Sequence, residues 1–135
     1  MSDIWFIADT HFNHKKLLEF RTTEGKPIRD FDKIEHMDEH IIECWNSVVK
    51  PNDIVWHLGD VVYSDNPMLW MEENFYKLNG IKKLVIGNHD RIPLLCSYFT
   101  ESRLWMLDTN LRVILSHVPI HKSCAHMFGS KDKGI

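Results

Sequence analysis

Three short apolar runs, Ile4–Ala8, Ile54–Leu58 and Lys83–Ile86, each pass directly into a polar group: Asp9-Thr10-His11, Gly59-Asp60 and Gly87-Asn88-His89-Asp90. Runs of this length bounded by turn residues predict buried strands of a parallel sheet. Between the first two, Ile34, Met37, Ile41, Ile42, Trp45, Val48 and Val49 recur at three- and four-residue steps. That spacing predicts an amphipathic helix that stops near Pro51. Asp65-Asn66-Pro67 reads as the cap and first turn of a second helix, closed by Asn79-Gly80. A short helix is expected over Arg91–Phe99. Leu104–Leu107 and Leu111–Leu115 then flank the turn-rich Asp108-Thr109-Asn110, predicting a hairpin that ends at Ser116-His117. Alternating strands and helices followed by a hairpin predict one α/β domain over residues 1–135, mostly parallel first and antiparallel later, with 128–135 as a flexible tail.

Composition narrows the function without naming it. In 135 residues, 44% hydrophobic and 26% charged content is that of a globular chain with a core, not of a disordered one. A net charge of -3 disfavours a nucleic-acid binder that works by neutralising many phosphates. Cys44, Cys96 and Cys124 form no Cys-x-x-Cys pair, so neither a disulfide framework nor a thiol-rich zinc site is expected, and a reduced, cytoplasmic setting is the simplest reading. The Ile4–Ala8 run is too short for a secretion signal or a membrane span.

The unusual number is nine histidines. Parallel strands deliver the groups that follow them to one sheet edge, where ligands bind in open α/β sheets, so Asp9-Thr10-His11, Gly59-Asp60 and Gly87-Asn88-His89-Asp90 should converge, with Ser116-His117 as a fourth. Taken singly, each group is ordinary turn or cap chemistry. Four in order, each behind a strand, argue for a shared site. Two ionised aspartates about 4 Å apart repel by roughly 4 kcal/mol at an effective dielectric of 20, so Asp9 and Asp60 can converge only around a cation or a proton. Carboxylate and amide oxygens mixed with imidazole suit manganese, iron, zinc or magnesium. His57, inside a predicted strand, is expected to be a packed, hydrogen-bonded histidine. His36 and His40 are spaced like a metal pair, but on a helix face whose Asp and Glu residues predict a solvated surface.

These groups resemble the first four motifs of the calcineurin-like metallophosphoesterases, in the same order. Gly-Asn-His-Asp is the specific one, expected by chance in about one chain in a thousand at this length. Asp-Thr-His-Phe-Asn-His and Trp45-Asn46-Ser47-Val48-Val49 are similar to the small bacterial and phage branch of that family. The resemblance implies a β-sandwich flanked by helices, C-terminally shortened here, with a binuclear centre at its edge. Asp9 and His11 would hold the first divalent ion, Asp60 would bridge, and Asn88 and His117 would hold the second. Manganese is the first choice, with iron, nickel, zinc or magnesium as alternatives. His89 would face the phosphate as the catalytic residue, protonating the leaving oxygen or stabilising the charge on the phosphorus in the transition state, with Asp90 able to orient it. Asn13, His14 and Arg91 are candidate substrate contacts, with a helix cap, a supporting hydrogen bond and an ion pair to Asp90 or another acid as their respective alternatives.

Two departures from the family pattern bear on activity. Tyr63 occupies a position where many members carry an acid or histidine that orients the catalytic histidine. No Gly-His-x-His follows His117; His121 and His126 are the later histidines. The expected activity is hydrolysis of a small phosphate ester, diester or monoester; the alternative is an impaired member that binds metal or a phosphorylated ligand without turnover. Partners other than that substrate are not called for, although uncovered edge strands could favour a homo-oligomer.

Overall fold

The structure, a computed structural model, describes residues 1–123; His126, Cys124 and the expected tail lie outside the described residues. Four strands, β1 (Ile4–Ile7), β2 (Ile54–His57), β3 (Ile81–Val85) and β4 (Glu101–Arg103), form one parallel sheet in the order β1-β2-β3-β4. A separate antiparallel hairpin, β5 (Trp105–Asp108) and β6 (Val113–Ser116), makes a second layer. The helices are α1 (Ile34–Val48), α2 (Pro67–Asn74) and the four-residue α3 (Ile92–Leu95). The chain is thus the expected mixed α/β fold, parallel first and antiparallel after. The described residues contain no helix long and apolar enough to cross a membrane.

Side-chain alternation along the strands divides the core in two. Val55, His57 and Leu84 point to the helical side, where Trp45, Trp70, Met71 and Phe75 cover them. Trp56 and Val85 point the other way, onto Leu115 and Met106 of the hairpin. Helix α1 buries Ile34, Met37, Ile42 and Trp45, the expected stripe, and leaves His36 and His40 exposed. Its C-terminal end is locked to the turn before β3: Trp45 Nε1 donates to Asn79 O, while Asn46 donates to Lys77 O and accepts from Asn79 N–H. Asn66 caps α2 by accepting from Leu69 N–H, with Pro67 in the first turn.

The register decides the geometry of the site. Ile4 pairs with Ile54 and Ile54 with Ile81, so Ile7, His57 and Leu84 fall in one row and the three polar groups leave the same edge.

Four local expectations are corrected. Strand β3 starts at Ile81, two residues before the apolar run, because its two lysines are accommodated. Lys82 sets its ammonium over the Phe75 ring and donates to Leu78 O and Gly80 O, and the Lys83 ammonium lies over Trp56 and pairs with Glu101 at 3.2 Å. The polar tripeptide Glu101–Arg103, unrecognised in the pattern, is the fourth parallel strand. The helix expected over Arg91–Phe99 is confined to Ile92–Leu95; after it Tyr98 N–H donates to Leu95 O in a tighter turn, and Thr100 N–H pairs with Lys82 O as the chain enters β4. Asp38, assigned to the solvated face of α1, is buried.

Candidate metal centre

The first polar group follows β1 in an unusual backbone conformation. Asp9, His11 and Asn13 all have positive φ, at 53°, 47° and 59°, a region that costs most L-residues free energy and that Asn and Asp tolerate best. Neighbouring groups hold the loop in that shape. Asp9 N–H donates to Gly59 O, His11 N–H to Asp60 O and Phe12 N–H to Val61 O. The buried Thr10 hydroxyl donates to Val61 O and accepts from His57 Nε2. With alternate peptides turned this way, the Asp9 carboxylate and the His11 imidazole face one side.

His57 is the hydrogen-bonded core residue expected from its strand position. Its Nε2–H donates to Thr10 and its Nδ1 accepts from Gly59 N–H, which describes a neutral ring. Burial pushes its pKa down to about 3, helped by the positive charge His11 and His117 would carry when protonated.

The second and third groups meet back to back at two glycines. A Cβ on Gly59 would lie 2.6 Å from Gly87 N and 2.7 Å from His117 Nδ1, and one on Gly87 would lie 2.3 Å from Asp60 Oδ1. Neither position accepts a side chain. Gly59 also has φ of 103° and Asp60 of 55°. Asp90 fastens this junction: its carboxylate accepts from Asp60 N–H, Val61 N–H and Gly87 N–H at 3.0, 2.9 and 2.7 Å. Asp90 thus orients the two loops through their backbone rather than orienting the His89 imidazole or pairing with Arg91.

Around Asp60, the predicted ligands form two groups of converging lone pairs. On one side, Asp9, His11 and Asp60 offer donor atoms all within 4.8 Å of one another, with His11 Nε2 3.7 Å from Asp9 Oδ1 and 3.5 Å from Asp60 Oδ2. On the other, His117 Nε2 lies 2.8 Å from Asn88 Oδ1 and 3.5 Å from Asp60 Oδ1. His117 Nδ1 must donate to Leu58 O, because a carbonyl only accepts. The Nε2 lone pair of neutral His117 therefore faces two oxygens, an arrangement that a cation or a proton relieves. Desolvation lowers the His11 pKa against the pull of Asp60 and Asp9, keeping that ring in the neutral form that binds metals. The donor set, oxygen-rich with two imidazoles, fits a hard or borderline divalent ion in each half.

The remaining sequence candidates line a cleft beside this centre. His89 N–H donates to Asp60 Oδ1 at 3.0 Å, while its exposed ring stands edge-on to Tyr63, centroids 5.0 Å apart, and 5.9 Å from the His11 ring. Tyr63 in turn lies 4.2 Å from the His14 ring, so the phenol contacts His89 through its π face or edge. Asn13, His14 and Arg91 border the same cleft, of about 860 Å³, with Lys15 and Lys16. Asn13 caps no helix; its backbone N–H donates to both oxygens of Asp38. His121 engages Ser123 instead of the centre.

A family model for calcineurin-like phosphoesterases matches residues 2–122. The chain belongs to that family. The chain is 37% identical over 91 residues to an uncharacterized protein of Methanocaldococcus jannaschii, across 67% of this chain and 48% of that protein. It is 34% identical over 95 residues to the Gene 66 protein of Mycobacterium phage L5, across 67% of this chain and 41% of that one. The chain therefore spans less than half the length of these curated relatives. The crystal structure of a protein of unknown function from Aquifex aeolicus matches 95% of this chain and 67% of its own, with a TM-score of 0.68 and 28% identity.

Two residues behind the centre were not singled out in the sequence. Arg29 donates from Nη1 to Thr10 O at 2.7 Å and from Nη2 to Asp9 O at 2.9 Å. Asp38 accepts from Asn13 N–H and from Trp70 Nε1. Arg29 lies in a turn-rich stretch without periodicity. Asp38 was legible only as a charge between the buried positions Met37 and Ile42 of α1.

Proposed function

We propose that this chain hydrolyses a small phosphate ester, diester or monoester, with the aid of two divalent ions. The observation that carries the reading is the division of the Asp60 carboxylate, Oδ2 toward His11 and Oδ1 toward His117, with Asp9 and Asn88 completing the two sides. Asp9, His11 and Asp60 would hold one ion, and Asp60, Asn88 and His117 the other. When bound, such a pair supplies a nucleophile at neutral pH and polarises the phosphoryl oxygen. Manganese suits this donor set; iron, nickel, zinc and magnesium are the alternatives.

The chain's own residues supply position and a proton. His89, fixed by its backbone to Asp60 and with an exposed ring edge-on to Tyr63, stands beside the centre where it donates a proton to the departing oxygen. Arg91, Asn13 and His14 border the cleft that receives the rest of the ester, and Arg91 offers the planar donor pair that suits phosphate oxygens. Tyr63 supports His89 by ring contact where an acid or histidine would do so by hydrogen bond. A protein net charge of -3 and a cleft bordered by Glu35, Glu39 and Glu73 as well as lysines favour a small ester over long nucleic acid.

The test is hydrolysis of an aryl phosphate monoester or diester by manganese-loaded protein, abolished by chelator and restored by metal. Metal-loaded protein without turnover on a broad phosphate-ester panel leaves a binder of metal or phosphorylated ligand in its place. Activity that survives chelation overturns both.

A further inference from the structure

The loop carrying Asp9 and His11 places three residues in the left-handed region within five positions. Such a conformation persists only where surrounding contacts over-determine it. The front of the loop is held by backbone bonds to the Asp60 loop. Its back is held by two side chains of opposite charge. The Arg29 guanidinium takes the carbonyls of Asp9 and Thr10, and the Asp38 carboxylate takes the N–H of Asn13 through both oxygens. The signs match the backbone groups: a cation on acceptors, an anion on a donor, both charge-assisted.

Each anchor is itself fixed. Asp38 is buried on α1 and accepts from the indole of Trp70 on α2 at 2.8 Å. Arg29 rests against Met37 Sδ at 3.5 Å, feels both Asp38 and Asp9, and comes from a segment folded on itself by a bridge between Arg21 and Pro27. Toward the loop, both side chains bond backbone groups rather than the Asp9 carboxylate or the His11 ring.

Resting on the metal reading above, we propose that Arg29 and Asp38 are a positioning pair that preorganises the Asp9–His11 half of the centre. Arg29 turns the Asp9 and Thr10 peptides so that the carboxylate and the imidazole face Asp60, and Asp38 stops the loop from unwinding past Asn13. The Asn88–His117 half receives no contact from either residue among the described hydrogen bonds and meets the Asp9–His11 half only through Asp60 and its loop. The pair therefore sets affinity at one half only. Lysine cannot replace Arg29, because one ammonium lacks the planar fork that spans two successive carbonyls.

The experiment is manganese titration of the metal-free full chain, followed by calorimetry and by electron paramagnetic resonance, with the parent, Asp9→Asn, Arg29→Lys and Arg29→Ala. Arg29→Lys should weaken the class of site that Asp9→Asn removes by about 10- to 100-fold, the usual cost of losing a group that supports a ligand. The other class should move by less than threefold. Millimolar methylguanidinium should restore part of the affinity in Arg29→Ala and none in Asp9→Asn. Equal weakening of both classes, or unchanged affinity at the Asp9 class, overturns the positioning role while the metal reading stands. If Arg29→Ala does not fold, Arg29→Lys, which keeps the charge and the stem, decides alone. A parent protein that takes up no manganese overturns the metal reading and this proposal with it.

Discussion

The two halves of the candidate centre share Asp60 but are built differently. The Asp9–His11 half hangs on a left-handed loop fastened in front by backbone bonds to Gly59, Asp60 and Val61 and behind by Arg29 and Asp38. The Asn88–His117 half has an exposed Asn88 on one loop and a histidine at the end of the hairpin, whose ring is fixed by one bond to Leu58 O. The first half borrows order from α1 and α2. The second depends on the contact between two layers, through Trp56, Val85 and Leu115. A site can thus be symmetric in donor chemistry and asymmetric in how its geometry is maintained.

The strongest way to break the comparison is to remove what the halves share. Asp60→Asn should lower metal content on both sides and reduce activity by several orders of magnitude, as read by elemental analysis and initial rates. Metal content equal to the parent would remove Asp60 as the bridge.

His89 tests whether catalysis is separable from both halves. His89→Ala should leave metal content unchanged and lower kcat by roughly 10²–10⁴-fold, the usual worth of a positioned proton donor, with a smaller change in KM. The loss should shrink for nitrophenyl esters, whose leaving oxygen needs little protonation. Loss of metal instead would make His89 a ligand.

Asp90 probes the junction on which the two halves turn. Asp90→Ala leaves the N–H groups of Asp60, Val61 and Gly87 without their buried acceptor. At about 1–3 kcal/mol for one unsatisfied buried group, the fold should lose on the order of 3 kcal/mol in denaturant unfolding. A variant as stable as the parent would contradict the clamp.

The smallest effect sharpens the comparison from behind the Asp9–His11 half. His57 is neutral in the fold, with its pKa pushed down to about 3, whereas in the unfolded chain it titrates near its ordinary 6.5. Its contribution is therefore complete above pH 6.5 and is lost as pH falls toward 3. Metal-free protein should lose roughly 2 kcal/mol from this group between pH 6.5 and pH 5. The pH dependence of unfolding in that window should flatten in His57→Gln; an unchanged slope would exclude His57 as its source.

Much of this architecture was legible in local pattern. Apolar runs that stop at polar groups marked β1, β2 and β3, the three- and four-residue spacing marked α1, and Asn66-Pro67 marked the start of α2. What escaped the pattern was polar sequence made structural by a distant partner. Glu101–Arg103 became a strand because β3 offered it an edge, and Lys82 entered a strand because its ammonium had the Phe75 ring and two carbonyls to meet. Asp38 was buried because Asn13 N–H and Trp70 Nε1 awaited it.

The sequence by itself determined which residues could carry the chemistry, since a strand and the polar group behind it are neighbours along the chain. Only the tertiary structure decided how those residues share work: that Asp60 divides between two sides, that Asp90 serves three backbone donors, and that Arg29 and Asp38 stand behind the first loop. The physical reason is range. Hydrophobic periodicity is a property of adjacent residues, whereas a buried polar group is satisfied by whichever donor or acceptor the fold brings to it, here from as far as 32 positions away.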